Sequence, residues 1–206
     1  PASKQTQIHT GAQTEHFHQA LKPGFAQDNI HRDTVAYTQA LYDQLTVTPA
    51  KPSLLDRIRG KKQSIRGLYL WGGTGRGKTW LVDSFYSCLP FTQKHRTHFH
   101  SFMRDIHNQL QDLPKTPDPL RIIAADLASK VRLLCLDEFH VHDIGDAMIM
   151  AGLLEAIFDQ GITLVATSNI AIDDLYKNGL QRDRFMPTID MLKQNTEEID
   201  LGHCKD

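Results

Sequence analysis

The sequence predicts an α/β fold in which helices cover both faces of a parallel sheet. Two observations predict it. The segments "GLYLW" (67–71), "VRLLCLDEF" (131–139) and "ITLVATSN" (162–169) are near-continuous apolar runs. Strands that alternate apolar and polar residues have one wet face, whereas continuous runs mark strands buried on both. A stretch with helical spacing follows each of them, and strand–helix alternation is what a parallel sheet needs for its crossovers.

Taken in order, residues 1–24 are polar and turn-rich. In 28–45, Ile30, Thr34, Val35, Tyr37, Leu41, Tyr42 and Leu45 fall at helical spacing, which predicts one amphipathic helix. Residues 46–64 hold two prolines, and 51–66 carry Lys51, Arg57, Arg59, Lys61, Lys62 and Arg66 against Asp56, a basic linker. The division expected is an N-terminal segment, 1–65, and a core, 66–206. Within the core the expected elements are a strand at 67–71, a helix at 77–88 and an extended segment at "THFHSFM" (97–103). Helices at 104–112 and 118–130 precede the strand in 131–139. The strongly apolar helix at 147–161 ends on Gly161 as its C-cap, and the strand at 162–169 follows.

Composition narrows the function classes. The 206 residues carry a formal net charge of −1, which gives no global argument for nucleic acid or an anionic membrane as partner. Cys88, Cys135 and Cys204 are odd in number and widely spaced, without a CxxC pair, so a reducing compartment fits best. No run approaches a membrane span and no signal pattern opens the chain. A cytoplasmic protein is expected.

Chemistry concentrates at "GLYLWGGTGRGKTWLVDSF" (67–85). Gly72-Gly73-Thr74-Gly75-Arg76-Gly77-Lys78-Thr79 reads as a phosphate-binding loop between a strand and a helix. Its glycines let the backbone curl so that several N–H groups face one anion, and the next helix adds the positive end of its dipole. In that pattern Lys78 reaches the β- and γ-phosphates and the Thr79 hydroxyl ligates Mg²⁺. The acid for the metal is Asp137, closing an apolar strand, and Glu138 beside it would polarise an attacking water. That pair separates hydrolysing P-loop proteins from P-loop kinases. Asn169, at the tip of the next buried strand, either orients the water beside the γ-phosphate or caps a following helix. Arg182 and Arg184 follow a stretch read as helical. They are either solvated or supply charge to a transition state, in cis or from a neighbour.

Taken together, the loop, the "DE" strand, the "ATSN" tip and the trailing arginines resemble an AAA+ ATPase core. More narrowly, "RGLYLWGGTGRGKTWLVDSFY", "HFHSFMRDIHNQL", "LCLDEFHVHDIGDAM", "GITLVATSN" and "DDLYKNGLQRDRFMP" resemble the ZapE cell-division ATPases, the bacterial branch of the Afg-like family. The resemblance spans about residues 25–205. It implies a three-layer P-loop NTPase core, ATP with Mg²⁺, and ATP-linked homo-oligomers. It also implies association with the tubulin-like division protein FtsZ, and through the division ring a peripheral link to the inner membrane. Carried onto this chain, Lys78 and Thr79 take Walker A roles, Asp137 and Glu138 Walker B, and Asn169 sensor 1. Arg182 and Arg184 become candidates for the finger acting on a neighbouring subunit, with Arg184 favoured because it precedes Phe185.

The chain departs from the family in two places. His140 and His142 stand where relatives carry an aromatic residue and a serine. They alternate on an extended segment, with Asp143 placed to cap a helix, so no zinc site is expected there or at His95, His98 and His100. The sequence stops at "GHCKD", where relatives continue into a last core strand and a helical lid with a second sensor arginine. The lid is therefore expected to be missing, and activity of this piece weak. Two other readings stay open: a nucleic-acid remodelling ATPase like the helicase loaders, supported by the basic 51–66 segment, and a non-enzymatic module whose surface is ordered by nucleotide.

Overall fold

The computed structural model describes residues 19, 32–47, 64–72 and 76–202. Residues 51–63 of the basic linker, the first four residues of the expected 28–45 helix, loop residues Gly73, Thr74 and Gly75, the Arg76 side chain and Cys204 lie outside the described residues.

Helix α1 (Arg32–Thr46) precedes strand β1 (Gly67–Trp71) and helix α2 (Arg76–Cys88). Strand β2 (Lys94–His98), helices α3 (Phe99–Asp112) and α4 (Pro119–Lys130), strand β3 (Leu133–Asp137) and helix α5 (Ile144–Asp159) follow. Strand β4 (Thr163–Ser168), two 3-10 turns (Ile172–Asp174 and Arg182–Arg184), helix α6 (Met186–Asn195) and strand β5 (Thr196–Asp200) complete the described chain. The strands form one sheet in the order β2-β3-β4-β1-β5. Every pairing is parallel. All five carboxyl ends therefore open on one edge, which is where an open α/β sheet holds its ligand.

Two buried clusters, one on each face, make three layers. Leu68 and Leu70 of β1 and Leu133 and Cys135 of β3 pack with Leu41, Tyr42 and Leu45 of α1 and Leu81, Val82 and Phe85 of α2. The alternate residues, Tyr69, Leu134 and Leu136, pack with Phe99, Phe102, Met103 and Ile106 of α3 and with α4, α5 and α6. Period-two alternation thus assigns each strand residue to a face, although the sequence is apolar throughout.

Four sequence expectations are corrected. Residues 97–103 are not one extended segment: β2 ends at His98 and α3 begins at Phe99. The buried Phe99, Phe102, Met103 and Ile106 recur at helical spacing, and that face outweighs the local alternation. The stretch before Arg182 is not a helix. Tyr176 and Gln181 take left-handed backbone, with φ of 55° and 57°, and helical continuation stops at each. A fifth strand stands where the sequence predicted none: β5 pairs with β1 from Gly67↔Thr196 to Trp71↔Asp200. The C-cap of α5 is Gln160 and not Gly161, which follows it with φ of 80°, the left-handed position that ends many helices just past the cap.

Candidate nucleotide site

The first described residue of the loop is Gly72, with φ of 76°. A Cβ there would stand 2.8 Å from Asp200 Oδ1, in a backbone region that L side chains rarely enter. Leu201 N–H donates to the Trp71 carbonyl at 2.9 Å, so β5 fixes the exit of β1 into the loop. Helix α2 starts at Arg76, four residues after Gly72, and Lys78 lies in its first turn.

Lys78 folds back toward the end of β1. Its Nζ donates to the Gly72 carbonyl and, at 3.4 Å, to Asn169 Oδ1. The side chain is buried, and that burial holds its ammonium below the usual lysine range. An amine held in place at the end of β1 is available to pair with an anion. Asn169 is exposed and does not cap a helix: the 3-10 turn after it has Ala171 at its N-cap, with no side-chain cap bond. Thr79 is exposed on the same first turn.

The acid pair sits two strands away. Asp137 ends β3 on the α2 face of the sheet, in phase with Leu133 and Cys135. Strict alternation would then send Glu138 into the opposite apolar core and Phe139 onto the α2 face. The backbone avoids this. Glu138 adopts φ of 55°, its side chain is 80% exposed, and Phe139 enters the α3 core fully buried. A left-handed non-glycine residue costs roughly 1–2 kcal/mol. Burying a phenylalanine returns about 1.5–3 kcal/mol, and keeping a carboxylate out of an apolar core adds more. Phe139 packs on Phe99 at 4.5 Å and edge-on to Tyr69 at 6.0 Å.

Strand β4 clamps this turn. Phe139 N–H donates to the Thr167 carbonyl at 2.7 Å, and Ser168 Oγ donates to the Phe139 carbonyl at 2.7 Å. Glu138 N–H donates to Thr167 Oγ1 at 3.2 Å, and that hydroxyl reaches Asp137 Oδ1 at 3.4 Å. A chain of direct bonds therefore runs from Glu138 and Asp137 to Thr167. Two residues further along the same strand end, Asn169 meets Lys78 of α2. The oxygen donors at hand, the Thr79 hydroxyl and the Asp137 carboxylate, suit a hard divalent cation such as Mg²⁺.

Arg182 and Arg184 are placed differently from each other. Arg182 Nη2 donates to the carbonyls of Asp173 at 2.7 Å and Leu175 at 3.3 Å, tying the 172–185 loop together. Arg184 is exposed, and its Nη1 donates to Gln181 Oε1 at 3.1 Å.

Sequence reasoning missed Thr167 and Arg96. Arg96, on β2, donates from Nε to Asp137 Oδ2 at 2.7 Å and from Nη2 to Oδ1 at 3.3 Å, while Nη1 donates to Asp83 of α2. Burial opposes the Arg96 charge, but the bonds to Asp137 and Asp83 outweigh it and raise its pKa above the ordinary value. The only local signal was the spacing Lys94-Arg96-His98 on a strand. Elsewhere, the His140 and His142 rings lie with centroids 3.5 Å apart and planes tilted by 44°, and Asp143 accepts from Gly145 N–H and Asp146 N–H as the N-cap of α5.

Comparison with known proteins adds to this geometry. The model of the AFG1-like ATPase family matches residues 10–206. The cell division protein ZapE of Escherichia coli K12 is 45% identical over 204 residues, covering 92% of this chain and 54% of that protein. The Schizosaccharomyces pombe protein C115.02c is 34% identical over 205 residues, covering 88% of this chain and 45% of its own length. The chain thus spans about half the length of the curated relatives it matches. Among solved structures, DnaI superposes with a TM-score of 0.59 at 16% identity, covering 89% of this chain and 93% of that one. Domain III of the Thermotoga maritima replication initiator DnaA superposes at 0.53 and 18% identity, covering 86% of this chain and 68% of that one. At such identities the likeness is one of fold.

Proposed function

This chain belongs to the AFG1-like ATPase family, and from that membership we propose that it hydrolyses ATP as an AAA+ protein and works as a mechanochemical switch on a protein partner. The observation that carries the reading is the seating of Lys78 and Asn169 against each other, with Thr167 joining the same strand end to Asp137 and Glu138.

In this reading the amides of residues 72–77 and Lys78 hold the β- and γ-phosphates. Thr79 and Asp137 hold Mg²⁺, which when bound neutralises charge on those phosphates. Glu138 reaches into solvent and orients a water, taking its proton as the water oxygen bonds to the γ-phosphorus. The bond from that phosphorus to the bridging oxygen breaks, and ADP keeps the electron pair. Asn169 holds the water or the γ-phosphate in line. Arg184 of a neighbouring subunit completes the site, because it lies on an exposed turn and Arg182 is committed to its own loop. The assembly is a homo-oligomer formed with ATP.

The partner enters by resemblance: the tubulin-like protein FtsZ, met at the division site in the cytoplasm and next to the inner membrane. The membrane contact in this reading is peripheral, made through the division ring; no helix among the described residues is long and apolar enough to cross a membrane. Turnover measured with and without FtsZ separates an ATPase acting on the ring from a module that only binds it.

The test of the chemistry is Glu138→Gln. Binding of a fluorescent ATP analogue should stay within about twofold of the parent, and turnover should fall by about 10²–10⁴. Parent-rate hydrolysis by this variant would remove Glu138 from the mechanism.

A further inference from the structure

Asp137 is already occupied by a cation that belongs to the protein. Arg96 reaches both of its oxygens, at 2.7 Å and 3.3 Å, in the forked geometry a guanidinium offers a carboxylate. The pair is shielded: the Arg96 and Asp137 side chains are 19% and 18% exposed. The third arm of the same guanidinium is on Asp83, whose side chain is 56% exposed on α2. Arg96 therefore spans two acids, one at the metal position and one on the helix that follows the phosphate loop. Register explains the placement. Arg96 pairs with Cys135 and His98 with Asp137, so Arg96 lies on the α2 face one step behind the acid.

We propose that Arg96 is a positioning residue that competes with magnesium for Asp137, with Asp83 as the seat that keeps the guanidinium when Asp137 turns to the metal. Each oxygen keeps a second lone pair, but a guanidinium forked onto both offsets the negative charge that attracts a divalent cation and repels that cation by its own charge, so metal binding at Asp137 is weakened while the fork stays closed. The phosphate loop and Asp83 share α2, so a shift of this helix toward a bound triphosphate also moves the alternative partner of Arg96. Arg96 then sets how much Mg²⁺ the site requires before nucleotide is held in its metal-bound form. The inference rests on the nucleotide-site reading above.

The experiment titrates Mg²⁺ against the protein at a fixed concentration of a fluorescent, non-hydrolysable ATP analogue, for the parent, Arg96→Gln and Arg96→Lys. Half-saturating Mg²⁺ should fall by about tenfold in Arg96→Gln, the order expected when one charge-assisted pair no longer competes. Arg96→Lys keeps a point charge without the fork and should fall between. In EDTA the analogue should bind all three proteins alike. Thermal unfolding gives a second readout: saturating Mg²⁺ with analogue should raise the midpoint of Arg96→Gln by more than it raises the parent's. A purely structural Arg96 would weaken analogue binding with and without metal and leave the half-saturating Mg²⁺ unchanged or higher, which overturns the proposal. A parent that does not bind the analogue at any Mg²⁺ concentration overturns the nucleotide-site reading, and this inference with it. A Mg²⁺-dependent parent with an unshifted Arg96→Gln removes the inference alone.

Discussion

Thr167 holds Glu138 by its backbone: the Glu138 N–H donates to Thr167 Oγ1 at 3.2 Å, across from β4 to the left-handed turn after β3. The same hydroxyl reaches Asp137 Oδ1 at 3.4 Å, so one buried side chain serves both acids. Thr167→Val keeps the shape and deletes the hydroxyl. It leaves the Glu138 amide without that acceptor, and stability should fall by about 1–3 kcal/mol. Turnover should drop by roughly tenfold or more while analogue affinity changes little, because the acid pair loses its aim. Denaturant unfolding and steady-state phosphate release check the two parts.

Gly72→Ala meets two obstacles. The residue would have to hold φ of 76°, and its Cβ would press on Asp200 Oδ1 at 2.8 Å. A loss of about 1–2 kcal/mol is expected from the backbone alone. Adding Asp200→Ala relieves the clash but not the dihedral, so the double variant should recover only part of the loss. Urea midpoints of the single and double variants decide it; full recovery would mean the backbone is unstrained.

Arg182 and Arg184 should respond in opposite ways. Arg182→Ala removes the donor to two loop carbonyls, at Asp173 and Leu175, and should cost about 1–3 kcal/mol of stability. Arg184→Ala loses one surface bond to Gln181 and should change stability by no more than about 0.5 kcal/mol. It should still depress turnover in assembled protein. Mixing Arg184→Ala with Glu138→Gln subunits should restore activity, since each supplies what the other lacks at a shared site.

The two described cysteines are buried, and burial pushes the Cys135 thiol up to about 12 and raises that of Cys88 as well. Thiolate is the reactive form. Native protein at pH 8 should therefore leave both unmodified by iodoacetamide over minutes, and unfolded protein should label both. Peptide mapping by mass spectrometry reads this directly.

Much of the core was legible because its strands are buried on both faces. "LLCLD" and "TLVATS" are apolar whichever way a side chain points, so a local window suffices. The edge strands were not. β2 is "KHRTH" and β5 is "TEEID", and neither buries a continuous run. Each has one open flank, so its identity as a strand comes from partners distant in sequence. Helix α6 was not among the expected elements; Pro187 lies in its first turn, where a missing N–H costs nothing. Of the site, the motif residues showed by spacing. Arg96 and Thr167 did not, because each matters only through the register that sets β2 and β4 against β3. Glu138 was chosen for its chemistry, but its left-handed backbone follows from the burial of Phe139, which no spacing rule reports.

The most direct measurement is a structure determined with magnesium and a non-hydrolysable ATP analogue. The account predicts the triphosphate against residues 72–77 with Lys78 Nζ on its β- and γ-oxygens. It places the metal about 2.0–2.1 Å from Thr79 Oγ1, with Asp137 turned toward it and Glu138 facing the γ-phosphate. An analogue bound elsewhere, or a metal with neither Thr79 nor Asp137 in its surroundings, would contradict it.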